Sequence, residues 1–112
     1  METLFSNKRY AHSLFFGHLY LEKLIKALYA KVTPDNPVAP KIHNLRFLAE
    51  KCGLTLDKER KAQFEAITRF NMDSRYQEEK QDFYQLCTRE YTEKQIIIIK
   101  ECAKWIKKLL AK

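Results

Sequence analysis

The chain has 112 residues, 46% of them hydrophobic and 12% aromatic, which supports one globular domain with a real core and excludes a disordered or fibrous protein. A net charge of +7 directs attention to anionic partners: nucleic acid, nucleotides or an acidic protein. Three widely spaced cysteines (Cys52, Cys87, Cys102) form no CxxC or CxxH pair, which excludes a zinc knuckle and a disulfide framework, and the longest apolar streak, Ile96 to Ile99, is far too short to cross a bilayer.

In chain order, nothing breaks a helix from about Leu4 to Val32. Leu14, Leu21, Leu24, Ile25 and Leu28 recur at three- and four-residue steps, and Phe15, Phe16 and Leu19 widen the buried stripe. "TPDNPVAP" ends this helix, since three prolines so close together cannot continue it. A short second helix is expected from about His43 to Cys52, with Leu45, Leu48 and Ala49 inward and Gly53 as a left-handed C-cap. A third begins after Asp57 as N-cap, with Ala62, Phe64, Ala66 and Ile67 inward, and fades near Phe70 or Asn71.

The stretch "NMDSRYQEEKQDFYQLC" reads as a loop with at most one helical turn. Thr88 or Thr92 then starts a long last helix whose stripe is Ile96, Ile99, Ala103, Ile106 and Leu110. The isoleucine run alone would favour a strand, but its Glu, Lys and Ala flanks and the helical spacing of the stripe outweigh it. The lysines of "KWIKKLLAK" read as the solvated face and C-terminal cations of that helix. The fold expected is all-α, an up-and-down helical bundle of four main helices including a short second one, in a single domain over residues 1–112. With no charged start followed by an apolar run, no signal peptide is expected, and a soluble cytoplasmic protein with buried, reduced thiols is the reading.

Three motifs stand in order: "LYLEKLIKALYAK" late in the first helix, "PKIHNLRFLAEKCGL" at the second, and "NMDSRYQEE" after the third. Together they resemble the HEPN domain over about Lys8 to Leu110. Glu22, Lys23, Lys26 and Ala27 match the family's Glu-Lys, Lys-Ala pattern. His43, Asn44 and Leu45 match its His-Asp/Asn-Leu opening, and Arg75 and Tyr76 its Arg-Tyr pair. The resemblance implies a homodimer formed through the long helices. It also implies a minimal nucleotidyltransferase as partner in a two-component, toxin–antitoxin-like module, or else a metal-independent ribonuclease using an Arg and a His with four to six residues between them.

The ribonuclease pattern is testable by counting. Upstream of His12 stand Phe5, Ser6 and Asn7; of His18, Ala11, His12 and Ser13; of His43, Asn36, Pro37 and Val38. None is arginine, so the sequence leans away from an enzyme and assigns no catalytic residue. Arg9 and His12, three apart, remain the only basis for a divergent ribonuclease. A basic bundle binding nucleic acid through charge alone is the third reading.

Glu22 lies between Leu21 and Leu24, so it is expected to be partly buried and to need a partner, His43 or Arg75. Glu22, His43 and Arg75 then form a polar clamp joining three segments, or the same cluster binds a phosphate or ribose at its rim. His43 itself either locks the second helix or belongs to that nucleotide site. Lys23, His43, Arg75 and Tyr76 are the nucleotide- or partner-binding candidates, since arginine grips phosphate and tyrosine stacks on a base. His12 and His18, six apart, cannot form an i, i+4 metal pair and read as ordinary. No metal and no cofactor are expected, a nucleotide being the one ligand considered. Phe5, Tyr10, Phe15, Phe16 and Tyr20 are assigned to the core or a dimer seam.

Overall fold

A computed structural model describes residues 4–35, 38, 41–72 and 76–112, with side chains from Ser6 onward. Arg75 therefore lies outside the described residues, as does the side chain of Phe5. Five helices follow one another: α1 (Leu4–Val32), α2 (Leu45–Lys51), α3 (Lys58–Thr68), α4 (Gln77–Leu86) and α5 (Arg89–Leu110). There is no strand among the described residues. At 1.5 Å per residue, α1 alone is about 44 Å long and sets the 50 Å length of the bundle.

The long helices α1 and α5 form the axis and run in the same direction. Gly17 meets Ile99 midway along both, and Lys31 near the end of α1 reaches the last carbonyls of α5, Leu110 O at 2.6 Å. The core they enclose with α2 and α3 is Leu14, Leu21, Ile25, Leu45, Leu48, Phe64, Ile67 and Ile106, all fully buried. Phe83 and Tyr84 of α4 complete it, Phe83 stacking on Phe70 with ring centroids 5.7 Å apart.

Local signals set most helix ends. Asn44 accepts the Phe47 N–H at 3.0 Å and so caps α2, which begins at Leu45 rather than His43. Asp57 accepts from Arg60 N at 2.7 Å at the start of α3, and Thr88 from Tyr91 N at 3.2 Å at the start of α5. Past α2, Gly53 turns left-handed (φ 84°), its N–H bonding Glu50 O while Leu54 N–H bonds Ala49 O, a Schellman ending. A Cβ on Gly53 would meet nothing within 4 Å, so only the backbone resists substitution. Gly53→Ala is expected to cost about 1 kcal/mol in urea unfolding, with Gly53→Asn costing less.

Three expectations are corrected. The segment read as a loop holds the ten-residue helix α4, because Gln77, Glu78, Glu79 and Lys80 are strong helix formers and two aromatics suffice to dock it. Ala62 faces solvent, since it lies about 200° around α3 from buried Phe64. Phe16 and Tyr20 are 65% and 42% exposed, so neither is a core residue of the single chain.

Candidate functional site: the α1–α2 polar clamp

On α1, His18 and Glu22 lie one turn apart on the buried stripe of Leu14, Leu21 and Ile25. Both seize His43, two residues before α2. His43 Nδ1 stands 2.8 Å from Glu22 Oε1, and His18 Nε2 stands 3.1 Å from the His43 carbonyl oxygen. A carboxylate and a carbonyl only accept, so the protons belong on His43 Nδ1 and His18 Nε2. Lys26 donates to the other Glu22 oxygen at 3.2 Å. One residue of the approach to α2 is thus held by side chain and backbone together.

Burial pushes the Glu22 carboxyl up, but the hydrogen bonds from His43 and Lys26 and their charges outweigh it, leaving Glu22 below its ordinary value and ionised. His18 is fully buried. Desolvation dominates the attraction of the His43 carbonyl and of Glu22, so its pKa is lowered and the ring is neutral. Its Nδ1 has no hydrogen-bond partner among the described residues.

The outer edge of this clamp is open to solvent. The His43 side chain is 61% exposed, and with Nδ1 engaged inward its free edge is Nε2. A neutral ring offers an acceptor there for a ribose hydroxyl; a protonated ring offers a donor for a phosphate oxygen. Lys26 stands on the other side of the carboxylate, and exposed Lys23 follows Glu22 directly on α1. The structure therefore joins Glu22 with His43, leaves Lys23 on the nearby surface, and adds two residues the sequence reading missed, His18 and Lys26.

The family comparison bears on this arrangement. Residues 1–109 match the HEPN domain. The chain belongs to the HEPN domain family. No curated protein and no solved structure matches it. Family membership makes it a helical module of nucleotide- or RNA-related type, in a family whose domains commonly dimerise.

Elsewhere in this HEPN domain, Tyr76 is 81% exposed and precedes α4 as its N-terminal flank, with no side-chain cap bond. Arg9 and His12 do not converge on one hollow. Arg9 lines a small one with Ser6, Tyr10 and Ser13, whereas His12 Nδ1 is 2.7 Å from the Lys8 carbonyl of its own helix. All three cysteines are buried and outside any disulfide, and burial raises the Cys52 thiol to about 11, too high for a reactive thiolate. Among the described residues no group of three His, Cys, Asp or Glu suits a metal ion, and no helix is long and apolar enough to cross a membrane.

Proposed function

We propose that this HEPN domain is a non-catalytic, nucleotide-associated interaction module. It acts as a homodimer with a minimal nucleotidyltransferase partner, in a two-component, toxin–antitoxin-like system. The observation that supports this most is the clamp itself: a buried carboxylate holds an exposed imidazole in one orientation on one oxygen and accepts from Lys26 on the other. A rim fixed in this way suits the sugar and phosphate of a nucleotide, or the surface of a protein that handles one. Lys23, His43, Arg75 and Tyr76 are its proposed contacts. The self-contact is assigned to the long helices, where Phe16 and Ile97 are 65% and 57% exposed.

The absence of any arginine with four to six residues between it and a following histidine supports a non-catalytic role. The test is co-purification from the native host, combined with titration of fluorescent ATP and GTP analogues. His43→Ala and Arg75→Ala are each expected to weaken nucleotide or nucleotidyltransferase binding about tenfold or more, the scale of a lost charge-assisted hydrogen bond. Binding unchanged in both variants would remove the site from the proposal.

A further inference from the structure

A groove of about 810 Å³ follows the seam between α1 and α5 and is lined only by these two helices and Ala111 just beyond α5. Its depth comes from small residues. Gly17 and Ala103 leave the floor low, and a Cβ on Gly17 would stand 2.7 Å from Ile99 Cδ1. Ile96 and Ile99 continue the floor, and Tyr20 forms one wall. Along the rim run Lys100, Lys104, Lys107 and Lys108, all exposed and spaced to share one side of α5, while no lining residue is acidic. Lys107 is drawn over the Tyr20 ring, 5.2 Å from its centroid, joining the two walls.

This pattern is an apolar row beside a cationic row, with both at helical spacing. Residues 96 to 108 extend about 18 Å, or more than three helical turns. An occupant must therefore offer an apolar stripe to the floor and anions to the rim, which is the description of an acidic amphipathic helix. A second copy of this chain in a two-fold contact would set four lysines against four lysines. A nucleic acid backbone satisfies the lysines but leaves the partly exposed Ile96 and the exposed Tyr20 wall uncovered. We propose that the α1–α5 groove is a docking site for an acidic amphipathic helix of a protein partner. The proposal does not depend on that partner being a nucleotidyltransferase, because it concerns only the chemistry of the docked segment.

Three fluorescein-labelled 18-residue helical peptides test it by anisotropy against the full chain. The first carries a leucine stripe flanked by glutamates, the second replaces each glutamate by lysine, and the third replaces the leucines by serine. Saturable binding of the first peptide alone is expected. The double variant Lys104→Glu/Lys107→Glu, altered only at exposed positions, is expected to bind it at least tenfold more weakly and to gain affinity for the lysine peptide. Each of the following results would overturn the proposal. One is equal binding of the serine peptide, the mark of charge alone. Another is unchanged binding by the double variant. The third is displacement of the peptide by an equimolar oligouridine RNA, or loss of self-association in the double variant, which would give the surface to nucleic acid or to a second copy.

Discussion

Phe64→Ala is expected to lower the unfolding free energy by about 3–5 kcal/mol, a large part of the total for a domain of this size. Phe64 is fully buried on α3 and sits with its ring centroid 6.4 Å from that of Trp105 on α5. Trp105 in turn carries the Arg60 guanidinium 4.8 Å from its ring centre. Arg60 also bonds Gln63 and the Cys102 sulfur, both at 3.2 Å. Removing the phenyl ring therefore leaves a cavity beneath a joint whose other members are fixed by their own bonds and cannot collapse into it. Urea unfolding should give a lower midpoint with an unchanged slope. Ala62→Ser, two residues away on the solvent side of the same helix, should change stability by less than about 0.5 kcal/mol. A small effect of Phe64→Ala would mean that α3 and α5 are not joined through this ring.

The contrast between Phe64 and Ala62 also explains what was legible in the sequence. The long helices were readable because their apolar residues recur over many turns, and Asp57, Thr88 and Gly53 marked ends by specific cap chemistry. Where that chemistry was missing, reading failed. α4 begins after Tyr76 without a side-chain cap and buries only Phe83 and Tyr84, so its signal was the propensity of Gln, Glu and Lys rather than a stripe. Ala62 was misjudged because alanine suits either side of a helix, and only its angle from Phe64 decides.

The candidate site divides in the same way. That Glu22 is buried follows from its neighbours Leu21 and Leu24. Its contact with His43 needs the path of the chain around the proline segment, which no local pattern fixes. Two of its members were nonetheless written in α1. Lys26 stands at the favourable i+4 position from Glu22, and His18 stands four before it, on the stripe of Leu14, Leu21 and Ile25. The six-residue interval from His12 to His18 says only that the two share no metal, whereas the four-residue interval from His18 to Glu22 puts them on one face. A histidine on an apolar stripe with a carboxylate one turn away reads as a buried anchor.

That anchor should make the fold acid-sensitive in two separate steps. Burial lowers the His18 pKa, so as pH falls through the ordinary histidine range the unfolded chain takes up a proton before the folded chain does. The unfolded state binds more protons there, and stability must fall as pH drops from about 7 to about 5. Glu22 has the opposite ionisation but the same consequence. Burial raises its pKa, the bonds from His43 and Lys26 more than offset this, and the net value is depressed. Its contribution is therefore complete above the ordinary glutamate range and is lost as pH falls further, through the folded-state value. Urea midpoints measured from pH 7.5 to pH 3 should show both losses. His18→Gln keeps a donor for the His43 carbonyl but cannot titrate; it should cost about 1–3 kcal/mol at pH 7.5 and flatten the upper step. Glu22→Gln should leave the upper step and reduce the lower one. An upper step that persists in His18→Gln would assign it to another group and would mean that His18 is not the buried neutral ring on which the approach to α2 is hung.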